Sequence, residues 1–362
     1  MNPAVLEIVR RLLHQPTAPY REAAVRRYIA DFCKARSIQI HQDRVGNLTA
    51  VYGTSYPDSK LAFAAHMDHP GFIIETDAHR RRTTALFYGG LKDAYFRSAG
   101  ICIFCQSQIV KARIIKMQSD KRFRRRRIWL QVSGDVRQGA VGMWDLPACR
   151  IRGSRLYSRA CDDLIGCASI LALLDLLAQR RIRKKVTALF TVAEEAGLHG
   201  AKHLCCSGRL HSGLRIISVE TSAALPAAKM EDGVIVRVGD RASLFSPGLT
   251  AFLLEAARRI QSKDNTFKYQ RKLMDAGTCE ATVYSRFGYA AAGICIPLAN
   301  YHNCNARTGR IAPECVSLGD LENMVKLFAG VVKYCRKADE FLNAAPPAYQ
   351  QSSGKLGEFF YT

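Results

Sequence analysis

Apolar residues recur every three to four positions over residues 5–36, the spacing of one helical face, and the repeat breaks at Pro16-Thr17-Ala18-Pro19. Two helices are therefore predicted, the second starting near Tyr20. Strand-like runs follow at 38–42 and 48–52, and residues 60–68 form an apolar run that ends in polar side chains. A buried strand that delivers its last residues to a site has this pattern. From 71 to 153 the chain changes to short strands between charged or glycine-containing turns, with no helical repeat, which predicts a small all-β insert. Alternation of helix and strand then resumes: helix 165–178, strand 185–192, part of a helix at 200–204, strand 214–219, helix 252–261, strand 289–297 and helix 321–333. The expected architecture is a mixed-sheet α/β/α domain built from residues 1–72 and 154–340. A barrel-like all-β domain is inserted at 73–153, and the Pro- and Ser-containing stretch 341–362 reads as a flexible tail.

Composition sharpens this picture in three places. The 362 residues, 48% hydrophobic, are enough for one large core and a smaller one, and no run has the length to cross a bilayer. The 13 cysteines are odd in number, scattered and often inside apolar runs, so they read as reduced residues of a cytoplasmic protein. Cys102 and Cys105 form the one C-x-x-C pair considered for zinc. They lie on a predicted strand, where residues three apart face opposite ways, so they read as structural. The formal charge of +22 is concentrated at 80–82, 121–127 and 180–185, between predicted elements and with few aromatics interleaved. These runs read as solvated turns, not as a nucleic-acid surface.

Metal-ligand chemistry gathers at the ends of predicted strands. His66 and Asp68 are two apart and share a strand face, so an imidazole there can bind metal while a carboxylate orients it. Asp162 precedes the helix expected at 165, where a carboxylate suits the helix dipole and can also bridge two cations; alone, it would read as a plain cap. Glu194 and Glu195 follow an apolar strand, a costly place for two adjacent carboxylates unless a cation compensates them. Glu220 ends the run 214–219, and His302 follows the strand 289–297. Open α/β sheets build their sites at such strand ends.

These segments, Ala65-His66-Met67-Asp68, 160–167, 190–201, 277–280 and Tyr301-His302, stand in an order that resembles the co-catalytic metal aminopeptidases. That family includes bacterial glutamyl aminopeptidase and the tetrahedral aminopeptidases. The resemblance covers nearly the whole chain. The long stretch from Asp68 to Asp162 holds the β insert where this family carries one, and the stretch from Glu220 to His302 is too short for the lid domain of carboxypeptidase-like relatives.

The resemblance implies two divalent ions, zinc or cobalt, that ionise a bridging water to hydroxide for removal of N-terminal residues from short peptides. His66, Asp162 and Glu220 would hold one ion and Asp162, Glu195 and His302 the other, with Glu194 as general base and Asp68 orienting His66. It also implies a homo-oligomer assembled through the insert. Three positions depart from the family: Leu164 stands for arginine, Glu220 for the commoner aspartate, and His69 where an acidic residue is frequent. A deacylase of the same superfamily and a binding protein on an inactive scaffold are the competing readings.

Overall fold

The computed structural model describes residues 1–78, 81–97, 99–106, 108–120 and 125–343. The expected tail beyond 343 and residues 80 and 121–124 of the basic runs lie outside the described residues.

Strands rich in Val, Ile, Ala and Phe pair into an eleven-stranded mixed sheet. Its centre is parallel, in the order Lys185–Thr191, Asp58–His66, Arg215–Ala223, Ala290–Ala299. Along Asp58–His66, Leu61, Phe63 and Ala65 join one core while Ala62 and Ala64 join another, so the strand is buried on both faces. Helix Leu164–Gln179 is apolar nearly all round because it lies between the sheet and helices Pro3–Leu13 and Leu318–Tyr334. Helices His199–Cys206 and Glu280–Arg286 cover the other face.

Between Gly71 and Trp144 six strands close into an antiparallel barrel. Phe72, Phe87, Phe96 and Trp144 fill it with edge-to-face ring contacts at centroid distances of 4.8 to 6.4 Å. One short 3₁₀ turn, Asp93–Phe96, interrupts the β pattern.

The structure departs from the sequence-based expectation at both later boundaries. Arg150–Arg152, expected inside the insert, pairs with Arg155–Ser158 at the edge of the main sheet. A short polar hairpin carries no periodicity that tells which sheet it joins. Helix Ala338–Asn343 carries the ordered chain past 340, because Phe341 and Leu342 pack on the main core. Strands Val234–Asp240 and Tyr269–Met274 were not expected from the pattern, and Arg215–Ala223 runs three residues beyond Glu220.

The 13 cysteines are all free, and Cys102 lies on a barrel strand with its thiol 3.1 Å from Asp145 Oδ1. Among the described residues no helix is long and apolar enough to cross a membrane.

Candidate active site

The parallel strands deliver their C-terminal ends to one edge of the sheet, and the singled-out residues meet there. His66 is the last residue of its strand. Asp162 lies in the turn before helix Leu164–Gln179, but the cap of that helix is Asp163, whose Oδ1 accepts the Gly166 amide at 3.1 Å. Asp162 is thereby free to face the cluster. Ala193, with φ of 51°, turns the chain after strand Lys185–Thr191 and brings Glu194 and Glu195 inward. Glu220 projects from within its strand, and His302 sits in a tight coil after Ala290–Ala299.

Two groups of three ligand atoms result, each within 4.8 Å of one another: His66, Asp162 and Glu220, and Asp162, Glu195 and His302. They share Asp162. His66 Nε2 lies 3.5 Å from Asp162 Oδ1 and 3.8 Å from Glu220 Oε2, while His302 Nε2 lies 3.6 Å from Asp162 Oδ2 and 2.9 Å from Glu195 Oε1. A third group, His66, Glu194 and Glu195, has the same span. The strand ends at Thr191, so strand alternation does not separate the two glutamates, and both converge on one spot.

The cluster is built for positive charge. Asp162 Oδ1 and Glu220 Oε1 are buried without a hydrogen bond, a costly arrangement that a shared cation would relieve. Burial opposes charging His66 and His302, yet Asp162 and Asp68 at the first and Glu195 and Asp162 at the second outweigh it and raise both imidazoles well above the usual range. Burial, reinforced by Glu195, Glu220 and Asp68 against the pull of His66, pushes the Glu194 carboxyl well above its usual range.

Second partners hold the ligands. The Nδ1 of His302 donates to the Gly90 carbonyl at 3.1 Å, which aims Nε2 at the cluster. His66 Nδ1 lies 3.1 Å from the backbone carbonyl of Asp68 and 3.6 Å from its carboxylate. That carboxylate also accepts the amides of Glu194 and Glu195, at 2.9 and 3.0 Å. His69 braces Asp162 from behind, with Nδ1 2.5 Å from the Asp162 carbonyl oxygen and Nε2 3.0 Å from Asn303 Oδ1. Leu164 is fully buried in the main core.

Three residues that the sequence did not single out complete the site. Glu314 accepts the amides of Cys161, Asp162 and His302, which ties two loops together. Glu22 accepts the Ala193 amide at 3.0 Å. Arg237 lines a cavity shared with His66, Asp162, Glu194, Glu220, Ser222 and Tyr301, yet it is only 3% exposed. Its guanidinium reaches Ser222 Oγ at 3.2 Å, its Nε has no partner, and no carboxylate among the described residues lies within ion-pair distance.

Known proteins share this fold. A protein of Acetivibrio thermocellus assigned as an aminopeptidase is 25% identical over 86% of this chain and 93% of its own. An aminopeptidase from the archaeon Desulfurococcus kamchatkensis superposes with a TM-score of 0.75 at 20% identity, covering 94% of this chain and 98% of that one. The TET1 peptidase of Pyrococcus horikoshii, which assembles into a tetrahedron or a large octahedral shell, superposes at 0.73 and 19% identity over 91% and 99%. These likenesses carry the fold. The family model for M42 glutamyl aminopeptidase matches residues 106–327, more than half of the chain. The chain therefore belongs to the M42 glutamyl aminopeptidase family and is a peptide hydrolase.

Proposed function

We propose that this protein is a dinuclear metal-dependent aminopeptidase acting on short peptides with an acidic N-terminal residue. The observation that carries the reading is the pair of ligand groups joined by Asp162. His66, Asp162 and Glu220 hold one divalent ion and Asp162, Glu195 and His302 the other, with zinc or cobalt suited to this imidazole and carboxylate set. Divalent ions held there would supply Lewis-acid chemistry for activating water and the peptide carbonyl. Glu194, which meets His66 and Glu195 within one ligand-sized group, accepts the proton of the attacking water and passes it to the leaving amine. Asp68 acts mainly by holding Glu194 and Glu195 through their amides.

The preference for an acidic residue rests on Arg237, a buried cation in the adjoining cavity that lacks a carboxylate partner of its own. The family description, glutamyl aminopeptidase, points the same way. Assembly into a homo-oligomer is supported by the shells of the Pyrococcus relative, and the barrel is the contact surface we propose for it. The free cysteines suit a cytoplasmic setting.

The test is metal-stripped protein reloaded with zinc or cobalt and assayed on peptides with free or acylated N-termini. Cleavage of free Glu- and Asp-peptides, restored by metal, is expected. Turnover of acylated substrates alone would make the protein a deacylase, and failure to bind either ion would leave an inactive scaffold.

A further inference from the structure

Asn300, His302 and Asn303 have φ of 56°, 53° and 62°, and this run of left-handed residues coils the chain tightly after strand Ala290–Ala299. The coil lays the ring of Tyr301 on the ring of His302, with centroids 3.8 Å apart and planes 25° from parallel. Stacking accounts for an aromatic ring here, and phenylalanine would serve as well. It does not account for the hydroxyl. Tyr301 is 38% exposed and borders the cavity that contains His66, Asp162, Glu194 and Glu220. Among the described residues its hydroxyl makes no hydrogen bond.

Asp162, Glu194 and Glu220 line the same cavity as that phenol. The hydroxyl is a hydrogen-bond donor on a residue that lines the same cavity as Asp162, the carboxylate shared by both ligand groups. A peptide cut at this cluster brings one acceptor to that spot, the carbonyl oxygen of the bond that breaks, and this oxygen gains negative charge during attack.

We propose that Tyr301 is a catalytic residue whose phenolic O–H donates a hydrogen bond to the carbonyl oxygen of the peptide bond being cut. In the reaction, water oxygen bonds to the carbonyl carbon and the C–N bond breaks. The water proton travels through Glu194 to the amine, and Tyr301 keeps its own proton throughout. The inference rests on the aminopeptidase reading above.

The experiment compares Tyr301→Phe and Tyr301→Ala with wild type in the zinc-loaded enzyme. It measures metal content, KM, kcat and the affinity of a phosphinic pseudopeptide whose tetrahedral phosphorus mimics the attacked carbon. Tyr301→Phe keeps the stack on His302, so both ions should remain and KM should hold. Its kcat should fall about 10²-fold or more, the usual loss for one such donor, with a parallel loss in pseudopeptide affinity. Wild-type kcat in Tyr301→Phe overturns the proposal. So does metal loss in Tyr301→Ala with an unaffected Tyr301→Phe, which would make the ring a positioning residue for His302. An inactive wild-type protein overturns the aminopeptidase reading as well, whereas an active wild type with an unaffected Phe variant overturns this one alone.

Discussion

Asp68 Oδ1 accepts the backbone amide of Glu194 at 2.9 Å across 126 positions of chain, and the other oxygen takes the amide of Glu195. Asp68 is fully buried, so an amide side chain in its place leaves one of these N–H groups without an acceptor. Asp68→Asn is expected to cost about 1–3 kcal/mol of stability in urea titrations. Its kcat should fall further than its metal content, because the loop carrying the base shifts while His66 still reaches the Asp68 carbonyl at 3.1 Å.

Glu194 and Glu195 should fail differently. Glu194→Gln keeps shape but cannot accept a proton, so both ions are expected to stay while turnover falls by about 10²–10⁴-fold. Glu195→Gln should instead lose the ion held with Asp162 and His302. Metal content by mass spectrometry alongside peptidase rate decides the matter. A Glu194→Gln variant that loses an ion while Glu195→Gln keeps both reverses the roles.

Glu314 touches no predicted ligand side chain, yet it holds the backbones of Asp162 and His302 at 3.1 and 2.8 Å. Glu314→Gln is expected to weaken metal affinity by about 10–100-fold, as loss of a supporting partner usually does. Competition with a fluorescent zinc chelator measures it, and unchanged affinity would remove Glu314 from the site.

Arg237→Met retains an unbranched apolar stem beside Gly293 and deletes the charge. The kcat/KM for a Glu-peptide should drop by about 10–100-fold, the size of a lost charge-assisted hydrogen bond, while that for a Leu-peptide holds or rises. Equal loss on both substrates would deny Arg237 a role in selectivity.

Burial raises the carboxyls of Glu22, Glu280 and Glu314 from 4.5 to about 7. Between those values the folded protein holds protons that the unfolded chain releases, so stability should fall as pH rises through that window and return as pH falls. Glu22→Gln still offers Oε1 to the amides of Tyr20 and Ala193 but no longer titrates. Its urea midpoint should change less than wild type between about pH 5 and about pH 8. An equal slope in the variant would show that Glu22 carries none of the effect.

The sequence by itself determined the elements and the chemistry that local pattern encodes. The apolar run ending at His66 and the helix beginning after Asp163 are read from spacing, since side-chain direction along a strand or helix is set by backbone periodicity. An adjacent Glu194-Glu195 after an apolar strand is likewise a local anomaly that calls for a cation. Only the tertiary structure decided what those residues lean on. Asp68 was expected to orient His66 from a shared strand face, and its carboxylate lies 3.6 Å from His66 Nδ1, but that it also accepts amides far along the chain could not be read from the sequence. Glu314 is one acid in an unremarkable strand until antiparallel pairing with Arg155–Ser158 and Ala290–Ala299 brings the loops of Asp162 and His302 to it, 152 and 12 positions away. Arg237 sits in a strand that the pattern did not reveal, and its burial beside the cluster follows from that strand's pairing with Ala290–Ala299. Long-range register is set by the packing of the whole sheet, and no local window of the chain carries it.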